Sequence, residues 1–143
     1  MVFARAVSRV EPVLARHGGK LVKVEADSLL MRFPDVEAAC RGVDTVEAVL
    51  RRLNRRGSES EHLHFSYGIG YGDVLDLEGD LFGLEVNLAC KLGEDLAKPG
   101  EALLTPTAAA ALGPSVLRRV VPYRIVTFGK SSLPVQRLKL ARR

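Results

Sequence analysis

A chain of 143 residues with 47% hydrophobic and 27% charged residues has the makeup of a soluble globular protein, long enough for one domain with a sizeable core. No apolar run reaches the roughly 18 residues of a membrane span, and Arg5, Arg9 and Arg16 interrupt the first segment, so neither a transmembrane helix nor a secretory leader is expected. The formal net charge of +4 would suit a polyanion such as nucleic acid or a smaller anion such as a nucleotide, but the excess is modest and does not decide between them.

The chain opens with Phe3, Val7, Val10 and Leu14 on one helical face, a pattern that His17-Gly18-Gly19 stops and that Pro12 is expected to kink or break. LVKVE and SLLMRF read as two strands joined tightly through Ala26-Asp27, a hairpin. Asp35 is placed to cap a long helix with Val36, Ala39, Cys40, Val43, Val46, Leu50 and Leu53 on its apolar face, ending in RRLNRRGSESE. HFSYGIGYGDVLDLEGD alternates and is rich in glycine, as strand, turn and strand, with Asp80 in a turn after Gly79. The helix of GDLFGLEVNLACKL follows, its apolar residues on a wide face and Asn87, Lys91, Glu94 and Asp95 on the opposite stripe. KPGEALLTP then gives a turn and a short strand, TPTAAAALG a short helix, and RRVVPYRIV and PVQRLKL two late strands. Cys40 and Cys90 lack CxxC spacing and form no ligand set with His17, His62 and His64, which reads as reduced, buried thiols and a cytoplasmic setting.

The order α-β-β-α-β-β-α-β-α-β-β implies an α+β fold, a two-layer sandwich of helices on a mainly antiparallel sheet, with residues 1–143 as a single domain. A ferredoxin-like core runs β-α-β-β-α-β. Here the first strand is missing from a central place in the sheet, which would leave backbone donors and acceptors on both neighbours unpaired. Residues upstream of Met1 are therefore expected in the natural protein.

Five segments in order resemble the catalytic domain of the class III nucleotidyl cyclases, the adenylate and guanylate cyclases: HGGKLVKVEADSLLMRF, YGIGYGDV, GDLFGLEVNLACKL, LAKPGEALLT and FGKSSLPVQRLKL. The third is similar to that family's Asp-x-x-Gly-x-x-Val-Asn-x-Ala-x-Arg segment. The resemblance implies a ferredoxin-like cyclase fold and conversion of ATP to cyclic AMP and pyrophosphate, with the ribose 3′-hydroxyl attacking the α-phosphorus at a homodimer interface. It implies Mg²⁺ or Mn²⁺ held by Asp27, adenine read by Lys23 and Asp80, the ribose oriented by Asn87, the transition state met by Lys91, and the terminal phosphates met by Lys130. The lysine would donate to a ring nitrogen and the aspartate accept from the exocyclic amine, a polarity that argues for ATP over GTP. Metal ligands come from one subunit and the base-reading and asparagine residues from the other.

Three departures bear on turnover. The family's first metal aspartate belongs to the strand that is missing here, Lys91 stands where the family has arginine, and Ala26 replaces a glycine. Lysine offers a point charge in place of a planar fork, and alanine strains a turn that needs positive φ. A second reading follows, a non-catalytic cyclase-homology module for dimerisation or nucleotide sensing. No nucleic-acid partner is expected, because the RRLNRR and terminal ARR arginines lack interleaved aromatics and read as solvated ends. The chain carries no membrane segment of its own, and a fused regulatory domain is left open.

Overall fold

The computed structural model describes residues 2–141, the side chains of Val2, Phe3 and Glu61 excepted, so Phe3 as a core position and the terminal Arg142 and Arg143 lie outside the described residues. Helix α1 spans Val2–Ala15 and runs through Pro12 unbroken. Proline lacks only the N–H that would bond back to Ser8, and that stretch is solvent-exposed, so water can serve the freed carbonyl. Its end is closed by Gly18 at φ 85° and by the Gly19 N–H donating to the Leu14 carbonyl at 2.9 Å. Strands β1 (Lys20–Glu25) and β2 (Ser28–Arg32) form the expected hairpin. Helix α2 (Val36–Arg56) starts on Asp35, whose carboxylate accepts from the Ala38 N–H at 2.7 Å.

Next come β3 (Tyr67–Ile69), β4 (Leu75–Leu77), β5 (Asp80–Phe82) and α3 (Leu84–Lys91), which continues as a π-turn over Leu92–Leu96. Strand β6 (Ala102–Leu104), short helices α4 (Pro106–Ala110) and α5 (Pro114–Leu117), and the long hairpin of β7 (Val120–Phe128) and β8 (Ser131–Leu138) complete the chain. The α+β class holds. Asp80, expected in a turn, instead opens β5: Glu78 and Gly79 take positive φ, 48° and 77°, and make the two-residue loop that pairs Leu77 with Asp80. Helix α5 was not foreseen, being only four residues long and too short to show a helical period.

Three sheets result, ordered β1-β2, β4-β5 and β3-β6-β8-β7, antiparallel throughout except for β3 with β6. Strands β2 and β3 are not hydrogen-bonded to each other. Even so, Met31 and Phe33 from one side and Phe65 and Tyr67 from the other pack on one cluster of α1 and α2 residues around Val10, Leu14, Val46 and Leu50. The helical layer is thus continuous across a break in the ladder between β2 and β3.

Alternation along β6 fixes which helix packs where. Ala102 and Leu104 face Val36, Cys40 and Val43 of α2. Leu103 faces the other way, onto Leu92 at the end of α3 with Val126 and Val135. Strand β3 meets α3 through glycine: a Cβ on Gly68 would lie 1.9 Å from the Ala89 carbonyl oxygen, so only glycine lets the strand approach this closely. That contact sets the position of the helix carrying Asn87 and Lys91.

Candidate functional site

Strand β1 carries Lys23 near its middle, and a register shift between Leu21 and Lys23 leaves Val22 unpaired against β2. A bulge of this kind re-aims the side chains that follow it. Lys23 Nζ lies 3.0 Å from Asp80 Oδ2 on β5, so the two residues expected to read a base are brought together from opposite hairpins. Asp80 Oδ1 also accepts from the Leu81 N–H at 2.8 Å. Their side chains are about one-third exposed, 33% and 32%. Hydrogen bonding to Asp80, opposed by some desolvation, raises the Lys23 ammonium above its ordinary range. The bond from Lys23, joined by that from the Leu81 N–H, holds the Asp80 carboxyl below its own. A second ion pair, Arg32 to Asp76 at 2.7 Å, ties the same two hairpins together.

Two neighbours of this pair escaped the sequence reading. Glu25 Oε2 lies 3.3 Å from Lys23 Nζ. The signal was present, since positions two apart on a strand share a face. Ser28 Oγ donates to Glu94 Oε1 at 3.2 Å, which fastens the hairpin tip to the π-turn after α3. Cys90 on α3 lies within electrostatic reach of Lys23, Glu25 and Asp80, its thiol raised first by burial and then by Glu94. Cys40 is buried in the core, and burial pushes its thiol up to about 12.

Asp27 is exposed at the hairpin tip, after Ala26 at φ 53°. A two-residue loop with positive φ at its first position favours glycine there, so the alanine is strained as the sequence suggested. Among the described residues no group of three or more His, Cys, Asp or Glu side chains is placed to hold a metal ion. The donor set is one hard carboxylate. It fits a single Mg²⁺ or Mn²⁺ that completes its shell with phosphate oxygens and water, and it does not make a two-metal clamp, which needs further carboxylate.

The polar stripe of α3 lies where the helical wheel put it, with Asn87, Lys91, Glu94 and Asp95 all exposed. Lys91 Nζ pairs with Asp95 at 3.6 Å across one turn and stands 6.0 Å from the centroid of the Phe128 ring. Phe128 ends β7, and Lys130 follows it in the exposed turn to β8, so the elements bearing the two lysines meet at that ring. A cavity of about 220 Å³ lies between α3 and this turn, lined by Leu84, Glu85, Leu88, Thr107 and Phe128 among others. It contains none of the six candidate residues, of which Asp27, Asn87, Lys91 and Lys130 are exposed and Lys23 and Asp80 half-buried.

Comparison with known proteins gives the fold a context. No family model matches the chain. It is 29% identical over 100 residues to a putative adenylate cyclase 3 of Rhizobium meliloti (strain 1021), covering 70% of this chain and 17% of that protein. It is 34% identical over 94 residues to an uncharacterized protein of Mycobacterium tuberculosis (strain ATCC 25618 / H37Rv), covering 66% of this chain and 23% of the relative. The chain thus spans less than a quarter of the length of these curated relatives. Among solved structures, an adenylate/guanylate cyclase/hydrolase from Silicibacter pomeroyi superposes with a TM-score of 0.80 at 22% identity, over 93% of this chain and 77% of that one.

Proposed function

We propose, for a chain that carries the fold of the adenylate and guanylate cyclase domains, that it is an adenylate-cyclase-type domain whose copies pair to hold ATP in a shared cleft. The observation that carries this reading is the 3.0 Å contact between Lys23 and Asp80. It sets a donor beside an acceptor, the complement of the ring nitrogen and amino group on adenine's edge. Asn87, exposed on α3, would orient the ribose; Lys91 and Lys130, flanking Phe128, would meet the phosphates. Asp27 would hold the divalent cation, which when bound offsets charge on the triphosphate. Every other contribution is binding and orientation by the chain's own side chains.

Support for a second copy comes from the surface beside Asp80. Leu75, Leu77, Phe82 and Leu84, on β4, β5 and the start of α3, are all at least half exposed, a contiguous apolar arm of the kind that marks a protein interface. No helix among the described residues is long and apolar enough to cross a membrane.

The alternative, nucleotide sensing without turnover, is favoured by one observation: among the described residues no group of three or more His, Cys, Asp or Glu side chains gathers to hold a metal ion. ATP binding and cyclic AMP formation, measured on the same protein with Mn²⁺, separate the readings. The first expects both, with affinity lost in Lys23→Ala; binding without product supports the sensor; no nucleotide binding at all contradicts both and leaves only a module for dimerisation.

A further inference from the structure

We propose that Glu25 is a specificity-determining residue: together with Asp80 it forms a two-carboxylate cradle that leaves the Lys23 ammonium a single N–H for a purine edge. This rests on the base-reading role given above to Lys23 and Asp80. Three observations lead to it. A bulge precedes Lys23, whose side chain reaches Asp80 on β5. Strand period then puts Glu25 on the same face, with Oε2 at 3.3 Å from Nζ, while Asp80 Oδ2 stands at 3.0 Å. An ammonium has three hydrogens; Asp80 takes one in a hydrogen bond, and Glu25 draws on a second as an ion pair.

What remains is directional. The Leu81 N–H fixes Asp80 through Oδ1, yet each Asp80 oxygen keeps a lone pair for an incoming amine. One lysine hydrogen next to one carboxylate acceptor matches an acceptor nitrogen beside an amino group, which is adenine's edge. Guanine presents a carbonyl where adenine has the amine and an N–H where adenine has the bare nitrogen. A lysine free to swing can still serve that carbonyl. Tethered on both sides, it cannot follow. Glu25 therefore acts through Lys23, restricting a flexible four-carbon side chain that would otherwise accept either base.

Glu25 is 75% exposed at its side chain, so replacing it leaves the core untouched and the test clean. ATP and GTP affinities of the whole chain are measured by calorimetry for the unaltered protein, Glu25→Ala, Glu25→Gln and Lys23→Ala, with thermal melts alongside. Glu25→Ala is expected to lower the ATP-over-GTP affinity ratio about two- to fivefold, the scale of one exposed ion pair, without moving the melt. Glu25→Gln, which keeps an oxygen acceptor, is expected to fall between the two. An unchanged ratio in Glu25→Ala, while Lys23→Ala abolishes the preference, would overturn the role of Glu25 and leave the base-reading pair standing. A preference indifferent to Lys23→Ala, or none in the unaltered chain, would remove the pair's reading and this inference with it.

Discussion

Lys23 and Asp80 hold each other in their charged forms from opposite ends of the pH scale. Asp80 is depressed below its ordinary value of 3.8, so what the pair contributes is present above that value and is lost only as pH falls through the lower, folded one. Lys23 is raised above 10.5, so its share is present below 10.5 and is lost only as pH rises through the higher, folded value. Between these limits the donor and acceptor are constant. Adenine recognition should accordingly show no pH dependence from about pH 7.5 to about 9.5, above the titration of nucleotide phosphates and below that of unperturbed lysines. Calorimetric ATP affinities across that range test it; a steady decline would mean that the pair is not the reader. The two residues were singled out in the sequence through the family resemblance. Their contact was not, because it depends on a bulge at Val22 that alternation in LVKVE does not announce.

At the scale of elements, the hairpin of β1 and β2 turns on an unfavourable residue. Ala26 at φ 53° occupies the left-handed region, which costs an L-residue about 1–2 kcal/mol and glycine almost nothing. Glycine also loosens the unfolded chain, returning part of that gain. Ala26→Gly should therefore raise the unfolding free energy by about 0.5–1 kcal/mol in a denaturant titration. A loss of stability would show that the turn is unstrained. The two-residue connection was readable because a tight loop between two apolar runs leaves few alternatives. Strand β5 was harder: three residues long and followed at once by Gly83 and α3, it gives no period to detect, and Glu-Gly is a weaker turn signature than Asn-Gly. Pro12 misled in the other direction. Near the exposed end of a helix whose buried face is held by Val10, Val13 and Leu14, packing outweighs one absent hydrogen bond.

For the whole molecule, the arrangement points outward. Four of the six candidate residues are exposed, Lys23 and Asp80 being half-buried, and the cavity beside α3 is smaller than the usual ligand pocket. The apolar arm of β4 and β5 lies next to Asp80, so a second copy seated there would roof the base-reading pair. The overall α+β order was legible because helices and strands alternate with clear periods. The packing of α3 on the face of the four-stranded sheet opposite α2 was not, since it is set by Gly68 meeting Ala89, a contact between residues distant in sequence. The central claim is that one bound nucleotide draws Asp27 from one copy and Asn87 from the other. Complementation tests it most directly: Asp27→Ala and Asn87→Ala proteins, each deficient alone, are mixed and ATP binding is measured with Mn²⁺. Random pairing should restore about a quarter of the unaltered protein's sites, one intact site in each mixed dimer. A mixture that binds no better than the average of its two components would contradict the shared cleft.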